Sequence, residues 1–281
     1  MSNFLDKVAL VTGAGSGIGE ALAVGLARRG AHLALSDVDE AGLAATAERC
    51  RVLGAQLHTH RLDVAERDAV EAYVPVVLER FGCVHQVYNN AGVTGAAASV
   101  LESDWDVYDR VFAVNLDGVV NVTKAFLPSL VASGDGHVVN VSSLNGLVAQ
   151  AELSAYCASK FAVRGFSEAL RAELRLARAP VEVSVVHPGG VRTNIATAAL
   201  EEAQALGLEL TARHHARARG YNERLLTMQP DEAADLILRG VEAKRARILV
   251  GRDAQVADVL GRLLPGRAPL LLTRLVERAF R

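Results

Sequence analysis

The sequence predicts an α/β protein built on a parallel sheet with helices on both faces. Three observations point there. Short β-type runs alternate with longer helical stretches through roughly the first 250 residues. A glycine-rich octet follows the first run and opens the first helical stretch. No Pro/Gly/Ser-rich linker divides the chain. Parallel neighbours need long crossovers, and a helix is the usual one.

Each element has its own justification. Lys7 to Val11 is the first strand, and Ile18 to Arg29 follows as a helix with Leu22 and Leu26 in successive turns. His32 to Ser36 is the second strand, and a polar helix runs from about Glu40 to Leu53. Gln56 to Leu62, the helix Ala65 to Phe81, and the strand Val84 to Tyr88 continue the alternation. Trp105 to Ser133 reads as one long helix, His137 to Val141 as a strand, and Ala155 to Ala177 as another helix. Val181 to Val186, the helix Asp231 to Ala243, and Arg247 to Val250 complete the pattern, giving one domain over residues 1–251. Two regions depart from it. Ile195 to Met228 is helix-forming but irregular, with Gly207 and Gly220 inside, and a long excursion after a strand is often a lid or substrate loop. Residues 252–281 form an amphipathic extension, with Val256, Val259, Leu260, Leu263 and Leu264 at helical spacing. Pro265-Gly266 breaks it, and Leu271, Leu275, Val276 and Phe280 with Arg274, Arg278 and Arg281 form a second piece.

Composition narrows the function. Of 281 residues, 51% are hydrophobic and 22% charged, enough apolar side chain for a sizeable core. Lys+Arg 30 against Asp+Glu 32 leaves a net charge of -2, with no basic excess to neutralise a phosphate backbone. Nucleic acid is therefore not an expected partner. Cys50, Cys83 and Cys157 are scattered, at neither zinc-ligand spacing nor the pattern of a disulfide framework. His214-His215 are adjacent and do not share a helix face, so no metal site is expected. The N-terminus has no basic flank followed by a long apolar run, and no stretch of about 18 uncharged apolar residues occurs. The expected compartment is the cytoplasm.

The octet Thr12-Gly13-Ala14-Gly15-Ser16-Gly17-Ile18-Gly19 sits between a strand and a helix. Its glycines permit a tight turn and let backbone N–H groups approach a pyrophosphate, to which the helix N-terminus adds partial positive charge. Asp37 ends the second strand, 24 residues beyond Gly13. A carboxylate there suits the two hydroxyls of a ribose; the alternative is an ordinary helix N-cap. Tyr156 and Lys160 are four apart at the start of a helix and project from one face. A nearby ammonium lowers the pKa of a phenol by roughly 1–3 units from about 10, which makes Tyr156 a usable general acid/base. Alone, such a pair is also what an exposed helix face carries. The neighbours add weight: Ser142 and Ser143 end the preceding strand, Asn89-Asn90-Ala91-Gly92 ends the fourth, and Asn115 lies on the long helix between them.

These residues, in this order, resemble the short-chain dehydrogenase/reductase family over roughly residues 5 to 250. The matching motifs are TGAGSGIG at Thr12 to Gly19, Asp63-Val64, NNAG at Asn89 to Gly92, Asn115, Ser143 thirteen residues before Tyr156, Lys160, and Pro188-Gly189 leading to Thr193. The resemblance implies a Rossmann fold, a doubly wound seven-stranded parallel sheet, and hydride transfer to or from a nicotinamide. It implies catalytic roles for Asn115, Ser143, Tyr156 and Lys160, with Ser142 supporting the strand end and Asn115 organising a water beside Lys160. It assigns cofactor contacts to Gly13, Ser16, Gly17, Ile18, Gly19, Asp37, Asp63, Val64, Asn90, Ala91, Gly92, Tyr156, Lys160, Pro188, Gly189, Val191 and Thr193. Asp63 and Val64 would hold the adenine, and Thr193 with the Val191 backbone the carboxamide.

The function expected is an NAD(H)-linked alcohol dehydrogenase or ketoreductase, with NADP(H) as the alternative cofactor. A β-ketoacyl thioester reductase is a second reading, and a dinucleotide-binding redox sensor without turnover is a third. Leu144, Asn145, Leu153 and Gly190, with Ser143 and Tyr156, are expected to line a site for a hydrophobic secondary alcohol or ketone. The resemblance also implies a homodimer or homotetramer paired through the two long helices; their apolar residues, such as Val119, Val122, Phe126, Phe161, Phe166 and Leu170, fall on more than one face, one to pack on the sheet and the other to form an exposed patch. The tail is expected to dock on a partner subunit; peripheral contact with an anionic membrane is its second reading.

Overall fold

A computed structural model describes residues 4–95, 97–205 and 211–280. Gly207 and Arg281, and the side chains of His214, Arg278 and Phe280, lie outside what it describes. Seven strands, β1 (Val8–Thr12), β2 (His32–Asp37), β3 (Leu57–Arg61), β4 (Gln86–Asn89), β5 (Gly136–Val141), β6 (Val181–Pro188) and β7 (Arg247–Val250), form one sheet in the order β3-β2-β1-β4-β5-β6-β7. Every pairing is parallel. The central strands are buried on both faces, which is why their sequences run apolar instead of alternating. The chain lays β1, β2 and β3 outward in one direction, then returns to place β4 beside β1. That reversal opens a crevice at the carboxyl ends of β1 and β4, where ligands bind in such sheets.

Helices cover both faces. Leucines and alanines of α1 (Gly17–Ala27) and α9 (Pro230–Glu242) pack on one, with α2 (Glu40–Val52) beside them. Residues of α3 (Arg67–Phe81), α5 (Gly118–Ala132) and α6 (Ser154–Leu176) pack on the other. The expected long helix is not uniform. It comprises α4 (Trp105–Phe112), one π-helical turn (Ala113–Asp117) and α5, and the π turn carries Asn115. Of the apolar residues read on the long helices, Val119, Val122 and Phe126 on α5 and Leu170 on α6 are buried, and α5 packs against both the sheet and α3. Phe161 remains 40% exposed.

The excursion after β6 contains α7 (Ile195–Ala205), α8 (Ala212–Gly220) and a π turn (Tyr221–Leu225). The extension forms α10 (Arg252–Leu263) and α11 (Ala268–Phe280), separated at Pro265-Gly266 as the sequence predicts. The stripe read on α10 is split. Leu260 packs on Leu147, Val148, Ala257 and Ala268, and Val276 on α11 is buried, but Val256, Val259, Leu263, Leu264 and Leu275 are exposed and the buried positions of α10 are Ala254 and Ala257. Small residues make this contact because the backbone comes close. A Cβ on Gly261 would stand 3.1 Å from Val148 Cγ2.

Candidate active site

The glycine turn leaves β1 and enters α1 at the crevice. Gly13 and Gly17 have φ of +64° and +57°, a region that side chains disfavour. At Gly19 the reason is proximity: a Cβ there would lie 1.9 Å from the Gly13 carbonyl oxygen. A Cβ on Gly17 would lie 2.9 Å from Thr193 Cγ2, so the turn abuts the segment after β6. Ser16 stands at the N-cap without a side-chain capping bond, so the first-turn N–H groups of Gly17, Ile18 and Gly19 have no intrahelical acceptor. Such an N-terminus on a compact glycine turn fits a pyrophosphate.

Asp37 faces this turn. Its Oδ2 accepts from Gly15 N–H at 2.7 Å and its Oδ1 from Asp39 N–H at 2.9 Å. The N-cap of α2 is Asp39, which accepts from the N–H groups of Ala41 and Gly42. Asp37 is therefore not the helix cap. Asp63 accepts from Ala65 N–H at 3.0 Å and pairs with Arg110 at 3.1 Å. The Val64 carbonyl accepts from Asn121 Nδ2 at 3.1 Å.

Thr12 ties β1 to β4. Its hydroxyl oxygen accepts from the N–H groups of Asn90 and Ala91, both at 3.1 Å. Asn90 Nδ2 reaches back to the carbonyls of Thr12 at 3.1 Å and Gly13 at 3.0 Å. Asn89 points below the sheet edge and donates to Thr123 Oγ1 and Asn140 Oδ1, each at 2.8 Å. Asn140 in turn donates to Ser167 at 2.9 Å. In the sequence Thr12 and Asn89 are read only as members of their motifs, and Thr123, Asn140 and Ser167 are not singled out. A polar residue inside a β-type run is the available signal, and it does not reveal a partner on another element.

Tyr156, Ser143, Lys160 and Asn115 converge. The Ser143 hydroxyl acts on the Tyr156 phenol and lowers its pKa. Ser143 Oγ also accepts from Asn145 N–H at 3.1 Å, so its own proton is available to donate to the phenol oxygen. Lys160 Nζ lies 5.7 Å from the Tyr156 ring centroid and donates to the Val141 carbonyl at 3.1 Å. Asn115 exchanges two bonds of 2.8 Å with the Val93 backbone and donates to Ser159 Oγ at 3.0 Å. A Cβ on Gly92 would meet Asn115 Oδ1 at 3.1 Å and Lys160 Nζ at 3.2 Å, which locates these groups around one point. Ser142 turns away and donates to the Lys160 carbonyl at 2.8 Å, fastening α6 to the end of β5.

The electrostatics differ from the sequence expectation. Burial pushes the Tyr156 phenol up to about 12, although the bond to Ser143 lowers it. Burial pushes Lys160 down to about 8. Both groups are removed from water, and desolvation favours the neutral form of each. The ammonium points at a carbonyl and does not contact the phenol oxygen in this arrangement. The expected lowering of Tyr156 by Lys160 is thus overturned for the protein alone.

The segment after β6 completes the site. Gly189 N–H donates to the Val250 carbonyl at 2.9 Å, and Gly190 N–H to Asp253 Oδ2 at 2.6 Å. Val191 forms a β-bridge with Met228, so the excursion leaves and returns beside Gly190. A Cβ on Gly190 would strike the Leu225 carbonyl at 1.9 Å. Asn145 is buried with its Oδ1 unpartnered, and Leu144 packs in a cluster with Leu147, Val148, Ala257 and Ala268. Leu153 precedes α6 and is partly exposed. Among the described residues no cluster of metal-ligating side chains occurs, and no helix is long and apolar enough to cross a membrane.

The chain is similar to known proteins over most of its length. The profile of the family described as short chain dehydrogenase matches residues 7–204. The chain is 48% identical, over its whole length and 99% of the relative, to SadH of Mycobacterium tuberculosis, described as a candidate oxidoreductase. It is 35% identical to a cyclohexanol dehydrogenase of an Acinetobacter species, over 74% of this chain and 82% of that one. A short-chain dehydrogenase/reductase from Burkholderia phymatum, solved in complex with NAD, superposes with a TM-score of 0.87 at 34% identity. That superposition covers 96% of this chain and 97% of the other.

Proposed function

The chain belongs to the short-chain dehydrogenase family, and from that premise we propose that it interconverts a hydrophobic secondary alcohol and its ketone using NAD(H). The family and the NAD-bound relative support a nicotinamide dinucleotide as cofactor. One observation carries the reading of the reaction: Asn115 and Lys160 meet beside Gly92, and Lys160 lies by the ring of Tyr156, on which Ser143 acts. Gly13 to Gly19 would hold the pyrophosphate, Asp37 the adenosine ribose, Asp63 and Val64 the adenine. Pro188, Gly189, Val191 and Thr193 would hold the nicotinamide end. When bound, the nicotinamide ring supplies the hydride acceptor or donor.

The chain's own residues manage the oxygen and its proton. In the reducing direction Tyr156 donates its phenolic proton to the carbonyl oxygen, and Ser143 holds that oxygen by hydrogen bonding. Burial suits this step, because a phenol held at about 12 is fully protonated near neutrality. In the oxidising direction the phenolate must form first, so alcohol oxidation rises with pH. Asn115 fixes the loop at Val93 and, through Ser159, the start of α6. Asp37 favours NAD(H), since its fixed carboxylate would oppose a 2′-phosphate. Leu144 and Leu153, read as lining the substrate side, are apolar, which favours an apolar substrate. Exposed Phe161 favours assembly of copies through α6.

The test is turnover of NADH with a panel of apolar ketones, β-ketoacyl thioesters and sugars. Apolar ketones are expected to turn over, and Tyr156→Phe to abolish turnover while NADH still binds. Activity on thioesters alone, or NADH binding without turnover of any substrate, overturns the reading.

A further inference from the structure

We propose that His187 is a positioning residue for Ser143, holding its backbone so that the hydroxyl faces Tyr156. The inference rests on the reading of Ser143 as the group that holds the substrate oxygen.

His187 lies near the end of β6 and is fully buried. Its Nδ1 stands 2.8 Å from the Ser143 carbonyl oxygen. A carbonyl can only accept, so Nδ1 carries the proton. Nε2 is then a bare acceptor, and it is buried without a hydrogen-bond partner among the described residues. Burial keeps the ring neutral, holding its pKa at about 4. Val181, Val183 and Val185 share its face of the strand, while Arg247, Arg164 and Asp258 act on the ring from farther away. The ring thus gains one buried bond, to Ser143, at the cost of desolvating Nε2.

What the ring supplies is a bond the sheet no longer provides. The β5–β6 ladder ends with Ser142 N–H donating to the Val186 carbonyl at 2.8 Å. Ser143 is the next residue and lies beyond strand pairing. The His187 side chain adds the following cross-link from the same strand. Gly146 N–H gives the Ser143 carbonyl a second donor at 2.9 Å, and Asn145 N–H holds the hydroxyl at 3.1 Å. Together they fix the carbonyl and hydroxyl oxygens of Ser143 and leave its hydroxyl proton to act on Tyr156.

The experiment compares His187→Leu, His187→Asn and His187→Gln with Ser143→Ala in the full chain. Thermal unfolding, the NADH Kd and kcat for one ketone are read for each. His187→Leu is expected to melt at or above the wild-type temperature and bind NADH within twofold of wild type. Its kcat should fall on the order of 10-fold or more. His187→Asn places an amide N–H near the Nδ1 position and should recover most of that loss. His187→Gln, whose amide sits one methylene further out, should not. Equal kcat for the Asn and Gln variants overturns the proposal, as does a His187→Leu enzyme within twofold of wild type while Ser143→Ala is impaired. A kcat loss that tracks a lowered melting temperature and a raised NADH Kd also overturns it, because that is a structural role. Full activity in Ser143→Ala would instead remove the underlying reading.

Discussion

Replacing Lys160 by Met should make the protein more stable and inactive. The lysine is 3% exposed, and burial lowers its pKa from 10.5 to about 8. At about 1.36 kcal/mol per pKa unit, holding that ammonium charged in the folded state costs about 3 kcal/mol. Methionine keeps the aliphatic stem and removes the charge. The lost Nζ bond to the Val141 carbonyl takes back about 1 kcal/mol. The net gain at pH 7 is about 2 kcal/mol, or roughly 4–8 °C in melting temperature for a chain of this size. The sign fixes the pH window. Between about pH 8 and 10.5 the unfolded chain binds more protons at this site than the folded one, so wild-type stability rises with pH there. The advantage of Lys160→Met is complete below pH 8 and gone by pH 10.5. Thermal unfolding of both proteins from pH 6 to 10.5 at one concentration measures it. A variant less stable at pH 7, or a difference independent of pH, would refute the reasoning.

Other expectations follow from the same site. Asp37→Ser should shift the kcat/KM preference from NADH toward NADPH by on the order of 10-fold, since like charges about 5 Å apart repel by about 3 kcal/mol before screening; a ratio unchanged within threefold defeats it. Gly19→Ala should raise the NADH Kd at least ~10-fold and destabilise by about 1–3 kcal/mol, because the new methyl strikes the Gly13 carbonyl. Titration by NADH fluorescence and urea unfolding read both effects. Deleting residues 252–281 should release Gly190 from Asp253 and expose Leu147 and Val148, raising the KM for ketone; an unchanged KM counts against it. Light scattering of the full chain should give a dimer or tetramer, and Phe161→Glu should reduce its size.

Much of this protein was determined by local sequence. The parallel sheet was legible because strands buried on both faces are apolar throughout and helices between them repeat at 3.6 residues. The glycine turn was legible because backbone geometry at Gly13 and Gly17 restricts the residue type itself. Tyr156 and Lys160 were legible as a pair because helical spacing puts them on one face. What the sequence could not determine depends on groups brought together from distant positions. Asp39, and not Asp37, caps α2, since the caps differ only in where the chain turns. The π turn at Asn115 leaves no periodic signature within five residues. The stripe on α10 has the right spacing for packing, yet of its members Leu260 makes the contact, with Ala257 and Gly261, where the backbone comes close to Val148. The charge states of Tyr156 and Lys160 are set by desolvation, a property of everything packed around them, and the bond from His187 to Ser143 joins residues 44 apart. Residue types fix which hydrogen bonds and which burials are available; the closed packing of α6 on β5 and β6 decided which ones form.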